Sequence, residues 1–107
     1  MSDTQQWSDV CQAGEVDEGD AKAFHVNGKR LCVVNDGKGY YALDDVCTHG
    51  MAFLSDGFCD PEEGVIECPL HGGLFSYCDG SVKGAPAERP TRVYPILVEN
   101  DVVKVRL

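Results

Sequence analysis

Two short segments, each pairing a cysteine with a histidine, constrain this chain more than any other feature of its sequence. The first is "CTHG" (47–50) and the second is "CPLHGG" (68–73), with eighteen residues between His49 and Cys68. Glycine follows each histidine, and glycine lets the backbone approach a bulky group closely. Thiols and imidazoles are also the side chains that bind transition metals. One short chain with two such pairs therefore calls for an explanation that uses both.

Three chemistries and a coincidence compete as explanations of the two pairs. A structural zinc site could use two thiolates and two imidazoles, although zinc fingers usually place the cysteines together and the histidines together around a helix. A cysteine nucleophile needs one pair and leaves the other unexplained. Ordinary buried cysteines and histidines would leave the glycines beside both pairs unexplained. In a Rieske centre two cysteines hold one iron of a 2Fe–2S cluster and two histidines hold the other, which fits best.

The remaining sequence predicts a single all-β domain spanning 1–107. Short runs of β-branched and aromatic residues alternate with turn residues, and no stretch of useful length has a helical period. "AKAFHV" (21–26) and "RLCVVN" (30–35) flank an Asn-Gly pair that is typical of a two-residue hairpin turn. "YYALD" (40–44) would extend this hairpin to a three-stranded meander.

A second predicted hairpin lies near the C-terminus, in "VYPILV" (93–98) and "VKVRL" (103–107). Apolar and basic residues alternate through the second of these runs up to Leu107, as in a half-buried strand. Pro95 favours an edge or bulge position because it has no N–H to donate to a ladder. Between the two hairpins, the loop-rich region 45–90 carries both Cys–His pairs, with strands predicted only near 65–68 and 74–77.

Charge and targeting features narrow the classes of partner. The formal net charge of −9 argues against nucleic acid and favours a partner with a basic patch, or else serves solubility alone. The start, "MSDTQQWSDV", shows no export signal, and no apolar run approaches a membrane span. We therefore expect a cytoplasmic protein whose thiols stay reduced. Metal binding is then a better use than disulfides for some of its cysteines, which are Cys11, Cys32, Cys47, Cys59, Cys68 and Cys78.

At "CTHG…CPLHGG" the chain resembles Rieske proteins, and more widely it is similar to the small Rieske ferredoxins of bacterial multicomponent aromatic-ring-hydroxylating dioxygenases. The similarity runs nearly end to end, and the segments that carry it are 14–20, 40–50, 54–58, 66–80 and 84–96. One departure is a slightly longer gap between His49 and Cys68, which suggests an extra turn in "CDPEEG" (59–64).

The resemblance implies a Rieske fold of stacked antiparallel sheets, with a cluster-binding subdomain at about 45–90. It implies one 2Fe–2S cluster, with Cys47 and Cys68 on one iron and His49 and His71 on the other, and a third loop, "GAPAERP" (84–90), that covers it. The protein would be a monomeric electron carrier, not an enzyme. It would take one electron from a flavin-containing reductase and pass it to a terminal oxygenase in aromatic hydrocarbon catabolism. Alternatives are a subunit of a nitrite-reductase-type assembly and a zinc-held interaction module.

The resemblance also bears on the reduction potential. High-potential Rieske proteins add a disulfide between the ligand loops and donate a serine and a tyrosine hydroxyl to the sulfurs. The matching positions in this chain are Ala52, Leu70, Gly73 and Phe75, and none of them can do either. We therefore expect a potential near the low end of the Rieske range, about −150 mV.

The surroundings of the pairs suggest how a partner would dock. Imidazole edges can reach solvent, so His49 and His71 would mark the electron's exit. The apolar collar predicted around it is Met51, Phe53, Leu70, Leu74 and Phe75, with Leu74 and Phe75 more often core. An acidic rim is predicted from Asp44, Asp45, Asp56, Asp60, Glu62 and Glu63, unless these only form a solvated face. Elsewhere, Cys32 reads as core, His25 as an ordinary histidine, and Cys59 as an oxidation liability in a loop.

Overall fold

The computed structural model describes residues 6–48, 50–70 and 72–107. In this part of the chain, antiparallel pairing builds three sheets, in the orders β1-β11-β10, β2-β3-β4-β9 and β5-β6-β7-β8. The predicted fold class, stacked antiparallel sheets, is confirmed. The strands are β1 Trp7–Gln12, β2 Asp20–Val26, β3 Lys29–Asn35, β4 Tyr40–Asp44, β5 Phe58–Asp60, β6 Val65–Glu67, β7 Leu74–Ser76, β8 Val82–Gly84, β9 Val93–Tyr94, β10 Ile96–Glu99 and β11 Val102–Arg106.

Both predicted hairpins form at the predicted turns, but only the part of the run 93–98 that follows Pro95 belongs to the second hairpin. Asn27 and Gly28 join β2 to β3 with φ angles of 50° and 83°, the positive values that a type I′ turn requires. Asn100 and Asp101 join β10 to β11 with φ angles of 52° and 63°. The meander β2-β3-β4 is confirmed as well, and the short strand β9 adds a fourth member to its sheet.

Pro95 lies where the chain passes from one sheet to another. Before it, β9 pairs with β4 in the second sheet, and after it, β10 pairs with β11 in the first. A residue without an N–H suits this junction, since neither ladder needs a donor there. The predicted alternation in β11 is confirmed for Val103 and Val105, which are fully buried. Leu107 lies beyond the last paired residue and is exposed.

The second sheet is the middle layer of the fold. Four consecutive residues of β3, from Leu31 to Val34, have no exposed surface. Leu31 and Val33 pack in clusters with Val105 and Val103 of the first sheet. Their neighbours Cys32 and Val34 face the other way and pack with the third sheet. The unbroken apolar run of β3 therefore reflects burial on both faces.

The third sheet, β5 to β8, lies wholly within the loop-rich region 45–90. Its inward-facing row contains Cys59, Ile66 and Phe75, which are paired across the sheet and buried in the core. Strands β1, β5 and β8 were not predicted, and two 3₁₀ turns, Ala13–Glu15 and Leu54–Asp56, are the helical segments described. None of the described helices has the length and apolar character needed to cross a membrane.

A glycine between the 3₁₀ turn and β5 allows the close approach of two backbones. A Cβ added at Gly57 would overlap the carbonyl oxygen of Glu67 and lie 3.2 Å from that of Leu54. Backbone cannot move aside as a side chain can. We expect Gly57→Ala to lower the free energy of unfolding by about 2 kcal/mol or more, measured by urea denaturation followed by circular dichroism.

Gly14 offers the matched control, since an added Cβ there meets nothing within 4 Å. Gly14→Ala should leave the midpoint of unfolding nearly unchanged. Equal midpoints for the two variants would contradict the proposed close packing at Gly57.

Candidate metal centre

The first Cys–His segment forms a compact loop directly after β4. The amide of Cys47 donates to the carbonyl of Ala52 at 2.9 Å, and the amide of Ala52 donates back to Gly50 at 2.9 Å. An isolated bridge pairs Val46 with Phe53 at the base of the loop. Cys47 is buried, so this loop turns its cysteine inward. His49 lies outside the described residues.

The second segment forms a similar loop between β6 and β7. The amide of Cys68 donates to the carbonyl of Gly73 at 2.8 Å, and the amide of Gly72 donates to the carbonyl of Cys68 at 3.0 Å. Cys68 is only 1% exposed. The hydrogen bonds across the base of the loop fix the position of the cysteine backbone. His71 also lies outside the described residues.

The two loops face each other and touch. The Cδ2 atom of Leu70, in the second loop, lies 3.1 Å from the position that a Cβ of Gly50 would take in the first. Cys47 and Cys68 belong to the same cluster of buried residues. The fold therefore brings both predicted thiol ligands into one core, although 20 residues of intervening chain and the β5–β6 hairpin separate them.

The loop 84–90 packs against both of these loops. Ala87 is buried, and its Cβ lies 3.0 Å from where a Cβ of Gly73 would be. On the other side, the hydroxyl of Thr48 donates to the carbonyl of Arg89 at 2.7 Å, and the Arg89 guanidinium donates to the carbonyl of Thr48 at 3.1 Å. The family resemblance implied that this third loop lies beside the Cys–His loops, and these contacts place it there.

The described residues fit a cluster with mixed ligands. Two thiols are held inside a largely apolar core by hydrogen-bonded turns, and Gly73 lets the loop 84–90 approach the second turn closely. Thiolates in such a setting are the ligands that iron–sulfur clusters use. In residues 6–48, 50–70 and 72–107, no three His, Cys, Asp or Glu side chains group as a metal site, because the predicted set needs both histidines.

Comparison with known proteins decides the family. The sequence profile described as "Rieske [2Fe-2S] domain" matches residues 6–95. The chain belongs to the Rieske family. The matched domain implies one Rieske 2Fe–2S cluster, and the ferredoxin relatives described next show that the chain is an electron carrier.

Similar relatives are ferredoxins of bacterial dioxygenase systems. The ferredoxin component of the naphthalene 1,2-dioxygenase/salicylate 5-hydroxylase systems of Ralstonia sp. is 38% identical over 104 residues, covering 97% of this chain and 98% of the relative. The solved ferredoxin of carbazole 1,9a-dioxygenase from Nocardioides aromaticivorans is 33% identical, with a TM-score of 0.89 and coverage of 96% and 97%. A ferredoxin in complex with its oxygenase, from a carbazole 1,9a-dioxygenase, is 38% identical, with a TM-score of 0.86 and coverage of 96% and 94%.

An ion pair between partly exposed Arg30 and the buried carboxylate of Asp45 anchors the first Rieske loop to the middle sheet. The Arg30 guanidinium donates to Asp45 at 2.7 Å, and the Ser55 amide and hydroxyl donate to the same carboxylate at 2.7 and 2.8 Å. Arg30 also stacks on the ring of Phe53, 3.8 Å from its centroid. The prediction that Asp45 lies on an acidic rim is wrong, because its side chain has no exposed surface.

The other predicted rim residues divide between structural and exposed positions. Asp44 is half-buried and accepts a hydrogen bond from Tyr94 at 2.5 Å, while burial, together with this bond, raises the pKa of Tyr94 to about 12. Asp60 accepts the amides of Glu62 and Glu63 at 3.2 and 3.4 Å in the turn after β5. The exposed carboxylates that remain are Asp56, Glu62 and Glu63.

The predicted apolar collar likewise separates into surface and core. Met51 is 96% exposed, and Leu70 is 47% exposed, so both are available to a partner as expected. Together with Phe53 and Pro69 they line an open groove of about 270 Å³ between the two Rieske loops. Phe75 is fully buried and belongs to the core, the assignment that the sequence favoured.

The cysteines outside the motif are mostly core residues. Cys32 is fully buried, as predicted, and burial raises the pKa of its thiol. The prediction that Cys59 is an oxidation liability in a loop is wrong, because Cys59 lies in β5 and faces inward. Burial and nearby carboxylates raise the pKa of its thiol to about 11. Among the cysteines outside the motif, Cys78 is exposed. The remaining histidine, His25, is exposed in β2.

These environments predict selective thiol labelling. Burial also raises the pKa of Cys11 to about 11, so at pH 8 only about one in a thousand of the Cys11 and Cys59 thiols would be ionised. We expect iodoacetamide at pH 8 to alkylate Cys78 first in the folded, cluster-loaded protein, as located by peptide mass spectrometry. Rapid alkylation that persists in Cys78→Ser would contradict this assignment.

Proposed function

We propose that this protein carries one electron at a time from a flavin-containing reductase to the terminal oxygenase of an aromatic-ring-hydroxylating system, with Cys47, His49, Cys68 and His71 as its cluster ligands. The observation that carries the proposal is the burial of Cys47 and Cys68 in one core cluster by two loops in direct contact. Relatives at 38% identity, which are ferredoxin components of such systems, support the same role.

The chain's own residues would supply ligation, insulation and docking. A bound Rieske cluster accepts and releases a single electron at a potential that its ligands and surroundings set. Cys47 and Cys68 would give thiolates from inside the core, while His49 and His71 would give neutral imidazoles from the same two loops. Ala87, packed against Gly73, would keep water from the second loop.

Docking would use the groove between the loops. Met51 and Leu70 offer exposed apolar contact, with Phe53 behind them and the carboxylate of Asp56 at the margin. A small apolar contact with a polar rim suits a transient electron-transfer complex. The relative seen in complex with its oxygenase supports the choice of an oxygenase as one partner.

Two further parts of the proposal concern the state of the protein in the cell. We propose a monomer in the cytoplasm, where thiols remain reduced. The thiols of Cys11, Cys32, Cys59, Cys68 and Cys78, none of which is in a disulfide, are compatible with this location.

The ligand set is tested by cysteine replacement with a matched control. Cys68→Ser removes a proposed ligand, whereas Cys32→Ser replaces another fully buried cysteine of the same core cluster. We expect iron and acid-labile sulfide to fall to near zero in Cys68→Ser and to stay near two of each per chain in Cys32→Ser, because a 2Fe–2S cluster needs all its protein ligands.

Electron paramagnetic resonance of the dithionite-reduced protein tests the imidazole ligands at the same time. Mixed ligation should give the spectrum of a Rieske centre, and replacement of His49 or His71 by alanine should abolish it. A full cluster in Cys68→Ser, or a spectrum of four equivalent thiolates in the native protein, would overturn the ligand set.

The reduction potential is the second quantity that the residues predict. No side-chain hydroxyl can come from Gly73, which Ala87 crowds, or from Phe75, and a bridge between Ala52 and Leu70 is impossible. We expect a redox titration to give about −150 mV, the low end of the Rieske range. Phe75→Tyr should raise the potential, while Phe58→Tyr, at an exposed position, should not change it. A clearly positive potential in the native protein would contradict the prediction.

A further inference from the structure

The outward face of the third sheet carries an open groove of about 460 Å³. Strand register places Phe58, Glu67 and Leu74 directly opposite one another on this face. The intervening row, which includes Ile66 and Phe75, points into the core. The sheet therefore has one face packed against the cluster loops and a second face that the described chain leaves open.

The groove combines apolar and acidic surface. Its floor contains Val65 and Leu74, and Phe58 stands at one side with 64% of its surface exposed. The remaining lining residues are charged, namely three carboxylates and one ammonium group: Asp60, Glu63, Glu67 and Lys83. An occupant of this groove would need an apolar part and a positive charge.

The groove is continuous with the second Rieske loop. Glu67 precedes Cys68 in the chain, and its Oε2 atom lies 3.3 Å from the position of a Cβ on Gly72. A partner group seated here would thus contact the strand that leads into the ligand loop, to one side of the groove that Met51 and Leu70 line.

We propose that this groove is a second docking surface, which receives an arginine or lysine side chain from the basic face of a redox partner. The long aliphatic stem of such a side chain can lie along Val65, Leu74 and Phe58, while its charged head meets the carboxylates of Glu63 and Glu67. The ring of Phe58 can add a cation–π contact. This inference rests on the electron-carrier role proposed above and specifies the charge of the partner.

Each variant in the groove is paired with a control outside it, so that an effect of the groove can be distinguished from an effect of net charge or of exposed apolar surface. Glu63→Lys reverses a lining charge, and Glu62→Lys makes the same change at the exposed neighbour that does not line the groove. Phe58→Ala removes the exposed ring, and Val98→Ala trims an exposed apolar residue of β10 in another sheet. The potential and the resonance spectrum of each variant should match the native values, since none of these side chains is a ligand.

The probe is cytochrome c, a lysine-rich haem protein that accepts one electron. We expect stopped-flow reduction of ferricytochrome c by the dithionite-reduced protein to slow about threefold to tenfold in Glu63→Lys and Phe58→Ala, and to stay within about twofold in both controls. Adding ferricytochrome c to the oxidised protein should shift backbone amide resonances at Phe58, Glu63 and Lys83.

Amide shifts report binding and stopped-flow rates report electron transfer, so the docking surface and the carrier role can fail independently. If electrons pass but neither rates nor shifts distinguish the groove variants from their controls, the second docking surface is wrong. If the shifts map to the groove but no electron passes, the surface stands and the carrier role fails. Dimerisation of the native protein that Phe58→Ala abolishes would show a second copy of the chain in the groove, and would also overturn the proposal.

Discussion

Direct contact between three loops is the constraint on which the site depends. The loops at 47–50 and 68–73 meet where Leu70 reaches Gly50, and the loop 84–90 closes on them through Ala87 and Thr48. At Gly73 an added Cβ would lie only 3.0 Å from the Cβ of Ala87, a tight contact. Glycine at this position lets the second Cys–His loop and the loop 84–90 pack closely together.

The buried carboxylate of Asp45 links the first Cys–His loop to the middle sheet. Arg30 and both donors of Ser55 hydrogen-bond Asp45, and these bonds hold the first loop on either side of Cys47. Burying a carboxylate is unfavourable unless its charge and hydrogen bonds are satisfied, and here all three close contacts do so. The same guanidinium supports Phe53, which lines the groove between the loops. Arg30 therefore supports both the first Cys–His loop and the proposed docking groove between the two loops.

Local chemistry explains what the sequence could predict, and long-range pairing explains what it could not. Asn27-Gly28 specifies its turn through backbone preferences of the two residues, so the hairpin was predictable, and so was the Cys–His pattern. Strand β5 has only three residues and exists because Phe58 and Asp60 pair with β6, so Cys59 was wrongly placed in a loop. Asp45 looked like one acidic residue among several, since its partner Arg30 is fifteen positions away and joins it only in the folded sheet.

The two faces of the third sheet show how a small acidic chain can combine a buried cluster with selective recognition. Alternation along β5, β6 and β7 sends Cys59, Ile66 and Phe75 into the core that contains Cys47 and Cys68, and sends Phe58, Glu67 and Leu74 away from it. The inner row is buried in the same apolar core as Cys47 and Cys68, so a partner cannot contact it. The outer row does not pack in the core, so carboxylates and an exposed aromatic ring can occupy it without disturbing core packing. Because Glu67 directly precedes Cys68, a partner bound to the outer row would lie beside the second Cys–His loop.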